Sequence, residues 1–278
     1  PFWYNTRIFK SVGLEIPATL DELMADIPTI RKAGYEVLSA GANGDSGFYT
    51  FEMFLMAGMA DAEYKDFVEG TKKLSEIPNG IKAVETFVQA RNAGAFPEKA
   101  AGMTDAEANE LFYSGKAAMW QGGSWFFGEA PTAMAADLVP EVVVAGFPLP
   151  SGSAYTKPTL VAGFDAKGVF ITRNGAKKLD AIKRLVQYLY QGKNIARFVE
   201  MAGMPSPLID TSDVDQDKLS PFFSQSLAWG DSVTPLHFYP SPAGVDTGPA
   251  RLLAWQPDAT AEQIVAAFDQ AYEEGMSK

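Results

Sequence analysis

Leu111–Trp125, LFYSGKAAMWQGGSW, is the stretch on which the fold turns. It reads as the end of a helix, a short apolar strand over Ala117–Trp120, two glycines, and a Trp at the start of the next helix. A glycine pair lets the backbone turn sharply and approach a ligand closely. A Trp beside such a turn offers a flat apolar face and one N–H donor. That pairing suits a sugar ring, with its apolar C–H faces and hydroxyl edges. Packing in the core is the plainer account of the same Trp125, because large aromatics are usually buried for packing alone.

Outward from this stretch, helices and short strands alternate. Thr19 and Glu22, Thr104 and Glu107, and Thr260 and Gln263 all have capping-box spacing, which marks three helix starts. The first of these helices ends at Ala33-Gly34 and leads to a strand over Tyr35–Leu38. Gly41–Gly47, GANGDSG, is a turn-rich loop. Phe48–Met59 is apolar nearly all round and reads as a buried helix. Helices are also expected over Ala62–Lys73, Asn79–Asn92, Ala176–Gln191, Ile195–Met201, Lys218–Ala228 and Ala261–Gly275, and from Trp125 to about Ala136. Strands are expected over Val142–Phe147, Leu160–Phe164 and Gly168–Thr172. The aromatic cluster Phe2, Trp3 and Tyr4 reads as the middle of a buried strand, so a segment upstream of Pro1 is expected. The alternation argues an α/β fold. Gly230–Pro249, rich in Pro, Gly, Ser and aromatics, reads as a crossing segment or hinge.

Composition narrows the function classes. The 278 residues are 47% hydrophobic and 21% charged, enough for a sizeable core. A net charge of −11 argues against nucleic acid as a partner and against an anionic membrane surface. No apolar run approaches the length of a membrane span, and the first residues do not have the order of a secretory signal. With no cysteine, thiolate catalysis, disulfides and Cys-based metal sites are excluded.

The single histidine, His237, lies in PLHFYP and reads as packed or surface-lying, since a catalytic base also needs a nucleophile and an orienting partner. Gly122-Gly123-Ser124-Trp125-Phe126 has Phe where a nucleophile elbow needs its last Gly. Asp213–Lys218, DVDQDK, begins like a calcium loop, but Lys218 and Ser224 stand where that loop needs Gly and Glu. A solvated acidic turn ahead of a helix accounts for it. Gly41, Gly44 and Gly47 do not have dinucleotide-fingerprint spacing. No metal and no cofactor are called for. A carboxylate pair for glycoside hydrolysis is not readable from sequence.

Several segments, in order, resemble the extracellular solute-binding proteins of bacterial ABC sugar importers, the maltose-binding-protein-like group. They are YNTRIFKSVGLEIPATLDEL (Tyr4–Leu23), YSGKAAMWQGGSW ending at Trp125, VAGFPLPSG (Val144–Gly152), VAGFDAKGVFIT (Val161–Thr172) and AIKRLVQYLYQGKNIARFVEMAGMPSP (Ala181–Pro207). The resemblance implies a periplasmic-binding-protein-like (type II) architecture of two α/β lobes joined by crossing strands, with sugar in the cleft. Here it covers mainly the C-terminal lobe, with helices around a short-stranded mixed sheet. Residues 1–219 would be mainly that second lobe, 220–249 the segment crossing toward the first lobe, and 250–278 a C-terminal helical segment.

By the same resemblance Trp125 stacks on the sugar. Phe48 or Tyr49 supplies another aromatic after a polar loop carrying Asp45 and Ser46. Gly163, Phe164 and Asp165 belong to a strand facing the cleft, and Trp229 lies where it could serve the other wall. Between Ala243 and Gly248 some relatives carry a further stacking Trp that this chain lacks, which weakens the case for maltodextrin. The implied function is non-catalytic: binding a mono- or oligosaccharide in the interlobe cleft and presenting it to ABC permease subunits. The implied place is periplasmic or extracellular, compatible with a lipoprotein anchor. Two alternatives stand beside it, a glycoside hydrolase and a same-fold receptor for a polyol, glycerol phosphate ester or peptide. A phosphate ligand would need a basic cluster, for which Lys157 and Lys167 are the nearest residues.

Overall fold

Phe2, Trp3 and Tyr4 are all fully buried, and they set the layering of the molecule. They form strand β1 (Phe2–Asn5), and successive side chains of a strand point to opposite faces. Phe2 and Tyr4 enter one hydrophobic cluster and Trp3 enters another. A strand can bury both faces only if both sides of its sheet are covered. The computed structural model describes residues 1–164, 170–203 and 213–277.

The chain runs from β1 into α1 (Thr6–Ser11), then α2 (Leu20–Lys32), β2 (Glu36–Ser39), α3 (Asp45–Gly58), α4 (Asp61–Val68), α5 (Pro78–Asn92), α6 (Asp105–Tyr113) and β3 (Ala117–Gln121). After a short α7 (Ala130–Ala133) come β4 (Val142–Ala145) and β5 (Thr159–Phe164), then α8 (Leu179–Leu189), α9 (Gly192–Ala202), α10 (Pro221–Leu227), β6 (Thr234–Phe238), α11 (Gly248–Ala254) and α12 (Ala261–Met276). Strands β2, β3, β1 and β4 form a mixed sheet in that order; β2 and β3 are parallel and the other pairings antiparallel. On one side lie α2, α3, α5 and α12, through Leu23, Phe51, Phe87 and Phe268. On the other, Trp3 and Trp120 pack against Phe112 of α6 and Phe222 of α10.

A second, two-stranded sheet pairs β5 with β6 in parallel. It joins the first through a bridge between Phe147 and Thr159. All three expected capping boxes form: in each, the Thr hydroxyl accepts an N–H of the first turn and the Glu or Gln side chain accepts the Thr N–H.

Several boundaries differ from the sequence reading. The helix expected from Trp125 to Ala136 is instead one 3-10 turn at Ser124–Phe126 and the single turn α7. Pro131 can begin a helix but cannot continue one. Ahead of it, Gly128 lies so close to the end of α9 that a Cβ would stand 2.3 Å from the Ala202 carbonyl oxygen. The helix expected to reach Lys73 ends at Val68, because the chain turns at Gly70 with φ +74°. β6 forms within the Pro- and Gly-rich stretch that the sequence reads as a crossing segment or hinge. The strand expected over Gly168–Thr172 lies partly outside the described residues, and 170–172 are not in a strand.

Helix α8 has no buried residue. Its Leu185, Tyr188 and Leu189 are exposed, as are Phe198 and Met201 of α9.

Candidate ligand-binding site

Trp125 is half-buried and lines a pocket of about 50 Å³ that opens to solvent. Its floor is the start of β1, the end of β3 and the first part of β5, and its wall is the first turns of α3. Tyr49 faces Trp125 with ring centroids 5.8 Å apart and planes at 49°. Met53, Gln121, Ser124, Leu160 and Val161 complete most of the lining. No charged side chain appears among the described lining residues.

The glycine pair acts differently from the sequence expectation. Neither Gly122 nor Gly123 has positive φ, so neither is required by a left-handed turn. Each makes room for an indole. A Cβ on Gly122 would lie 2.5 Å from the ring of Trp120, and one on Gly123 would lie 2.3 Å from the ring of Trp125. Trp125 therefore lies back over the bare backbone of Gly123. The Trp3 indole N–H donates to the Gly122 carbonyl at 2.7 Å and fixes the segment to β1.

The loop before α3 is equally tight. A Cβ on Gly41 would stand 2.3 Å from the Met103 carbonyl oxygen, and one on Gly47 2.4 Å from that of Gly41. This brings Asp105 against the helix start, where its carboxylate accepts the Asp45 and Ser46 N–H groups, both at 2.8 Å. A carboxylate at a helix N-terminus satisfies free donors and the dipole together. The end of α3 thus carries its own anion.

The residues expected in the site divide accordingly. Trp125 and Tyr49 come together in the wall of the pocket. Gly163 and Phe164 belong to β5, paired with His237 and Phe238, and the same strand lines the cavity through Leu160 and Val161. Asp165 lies outside the described residues, as does Lys167. Asp45 is exposed at the helix start. The buried Ser46 hydroxyl accepts the Gly41 N–H at 3.1 Å and so holds the loop. Phe48 turns the other way, with the Arg251 guanidinium 4.5 Å from its ring and Phe238 at 5.8 Å. Trp229 is not among the lining residues: its N–H donates to the Val144 carbonyl at 2.9 Å, and its ring packs edge-on to Phe127.

Behind Phe48 sits a buried polar network. Glu52 of α3 is fully buried, accepts from Arg251 Nε at 2.8 Å and from the Tyr64 hydroxyl at 2.8 Å, and also pairs with Arg251 Nη2. Burial first, and then the Glu52 charge, push the Tyr64 phenol well above its usual range. Burial followed by the charges of Asp45 and Glu52 raises the Tyr49 phenol. Tyr49 therefore faces the cavity as a neutral ring with a hydroxyl at ordinary pH.

Sequence reading missed Gln121, Met53, Leu160 and Val161. Gln121 had a faint signal, as the one polar residue closing the apolar strand AAMWQ. The lining residues of β5 and α3 read as ordinary core. Among the described residues no cluster of acidic or histidine side chains is placed to hold a metal ion. Asp215 of the DVDQDK region and Glu200 of α9 pair with Lys218. No described helix is long and apolar enough to cross a membrane.

Comparison with known proteins agrees with this architecture. A probable secreted solute-binding lipoprotein from Streptomyces coelicolor superposes with a TM-score of 0.78 at 22% identity, over 98% of this chain and 68% of its own. A chitin oligosaccharide binding protein gives 0.78 at 18% identity, over 99% and 68%. A sugar transporter protein from Bacillus licheniformis, solved in complex with stachyose, gives 0.71 at 17% identity, over 100% and 71%. No curated protein matches the sequence. Residues 1–194 match the family described as bacterial extracellular solute-binding protein, and the chain belongs to that family.

Proposed function

We propose that this protein is the substrate-binding component of an ABC importer for a mono- or oligosaccharide, and that the sugar stacks on the aromatic platform that Trp125 and Tyr49 form together. The observation that carries the reading is the pair of half-buried aromatic rings packed side by side in the wall of a pocket whose described lining carries no charged side chain. Sugar C–H faces stack on such rings, while hydroxyls need the few polar groups around them. Stachyose in one structural neighbour and chitin oligosaccharide in the name of another favour the same class of ligand. Proteins of this family are binding proteins placed outside the cytoplasm, and a non-catalytic role for this chain follows that pattern. The described lining holds no carboxylate, whereas glycoside hydrolysis uses two. The anion already seated at the α3 start and the absence of a described lining cation disfavour a phosphate ester.

Within this reading, residues 1–219 form mainly the second lobe, 220–249 the crossing segment and 250–278 the closing helical segment. The side-by-side pairing of β5 with β6 supports a crossing there. The exposed apolar face of α8 and α9 is the surface against which a first lobe would rest. Closure of two lobes over the sugar would create the surface that the permease subunits recognise.

Titration calorimetry of Trp125→Ala against maltotriose, xylotriose, stachyose and diacetylchitobiose tests the proposal. Loss of the stacking face is expected to weaken the tightest of these by about 1–3 kcal/mol, or roughly 5- to 150-fold. Unchanged affinity would remove Trp125 from the site.

A further inference from the structure

Gln121 is the last residue of β3 and is 6% exposed. Strand alternation puts Trp120 into the cluster with Trp3, and Met119 into the cluster with Phe2 on the α3 side. Gln121 shares the Met119 face and reaches the cavity beside Tyr49, Met53 and Trp125. Among the described residues its side-chain amide has no hydrogen-bond partner. Gln225 shows what a glutamine in this fold does when its role is structural. Its oxygen accepts the Val144 N–H at 2.8 Å, and its NH₂ donates to the Val142 carbonyl at 2.9 Å. The Gln121 amide is not among the buried unpaired atoms, so its oxygen and NH₂ reach solvent in the pocket. A guest that displaces that solvent must supply the complement or leave the amide unpaired, which costs free energy.

We infer that Gln121 is the specificity-determining residue of this cavity, and that its amide reads two neighbouring hydroxyls of a neutral sugar ring. A primary amide places one acceptor and two donors side by side. One hydroxyl donates to Oε1 while the next accepts from Nε2. The neutrality of the guest follows from the rest of the described lining, which carries no charged side chain to balance a carboxylate or phosphate. The inference rests on the carbohydrate reading above and goes further in naming what selects the ligand.

The test uses the full chain in calorimetry with maltotriose, xylotriose, stachyose and diacetylchitobiose, then with monodeoxy analogues of the tightest binder. Wild type is expected to prefer the parent sugar over at least one monodeoxy analogue by about tenfold or more. Gln121→Leu is expected to bind that pair equally, with the parent weakened at least about tenfold. Gln121→Glu keeps the size and an acceptor but loses the donors, and is expected to lose the preference against the analogue that lacks the hydroxyl accepting from Nε2. It serves if the Leu variant does not fold. Trp125→Ala is expected to weaken parent and analogue alike and keep their ratio. Retention of the wild-type ratio in both Gln121 variants, with Trp125→Ala still weakened, overturns the inference and leaves the carbohydrate reading standing. Failure of wild type to bind any sugar of the panel overturns both.

Discussion

Arg251→Ala is expected to be among the most damaging single changes outside the cavity. Its partner, Glu52, has no exposed side-chain surface, and Arg251 itself is 16% exposed. Truncating one member of a buried ion pair leaves an uncompensated charge and costs about 3–5 kcal/mol. The guanidinium also lies over Phe48 at 4.5 Å and near Phe268 at 5.8 Å, which adds about 1 kcal/mol of cation–π and stem packing. With about 2–4 °C of Tm per kcal/mol in a chain of this size class, the melting temperature should fall by roughly 10–20 °C. Calorimetric melts at neutral pH measure it. The double variant Glu52→Gln with Arg251→Met removes both charges and keeps an acceptor for the Tyr64 hydroxyl. It should recover most of the loss and show a coupling of at least about 2 kcal/mol. An Arg251→Ala protein melting within about 3 °C of wild type, or a double variant no better than the single, would refute the argument that an unpaired buried charge is the cause.

Trp229→Phe should lower stability by about 1 kcal/mol through the lost hydrogen bond to the Val144 carbonyl while leaving sugar affinity unchanged; a tenfold loss of affinity in calorimetry would place Trp229 in the site after all. Alkaline pH should destabilise the fold. Burial raises the phenols of Tyr4, Tyr64 and Tyr113, and pushes that of Tyr272 up to about 12. A phenol with a raised folded pKa stays protonated in the native state while the unfolded chain ionises, so its contribution is intact below pH about 10 and is lost as pH rises through the folded value. For Tyr272 the slope is at most about 1.4 kcal/mol per pH unit between pH 10 and 12. Tyr272→Phe should flatten that part of the stability curve in urea titrations, and a curve with unchanged slope would count against the assignment.

What the sequence made legible was what local chemistry enforces. Thr19, Thr104 and Thr260 cap their helices because hydroxyl and carboxyl groups three residues apart reach the same free donors. Phe2, Trp3 and Tyr4 announced a buried strand through their bulk alone. Segments that depend on distant partners were harder to read. TPLHF contains a proline, which argues against a strand interior, yet Pro235 is tolerated because its sheet has only two strands and both are edges. The loop before α3 looked like a ligand loop because nothing near it in sequence reveals Asp105, which arrives from sixty residues away to fill it. Phe48 and Tyr49 are adjacent in sequence and cannot be told apart by pattern. The helix turns one toward Arg251 and the other toward Trp125.

The indole of Trp125 lies on its own chain at Gly123, like a plate on a shelf, rather than being wedged among core side chains. Such a plate can be exchanged for a phenol or a phenyl with little disturbance to the hydrophobic layers beneath, so long as residue 123 stays bare. Position 125 therefore tolerates a change of ring, while any side chain added at position 123 would collide with the one above it.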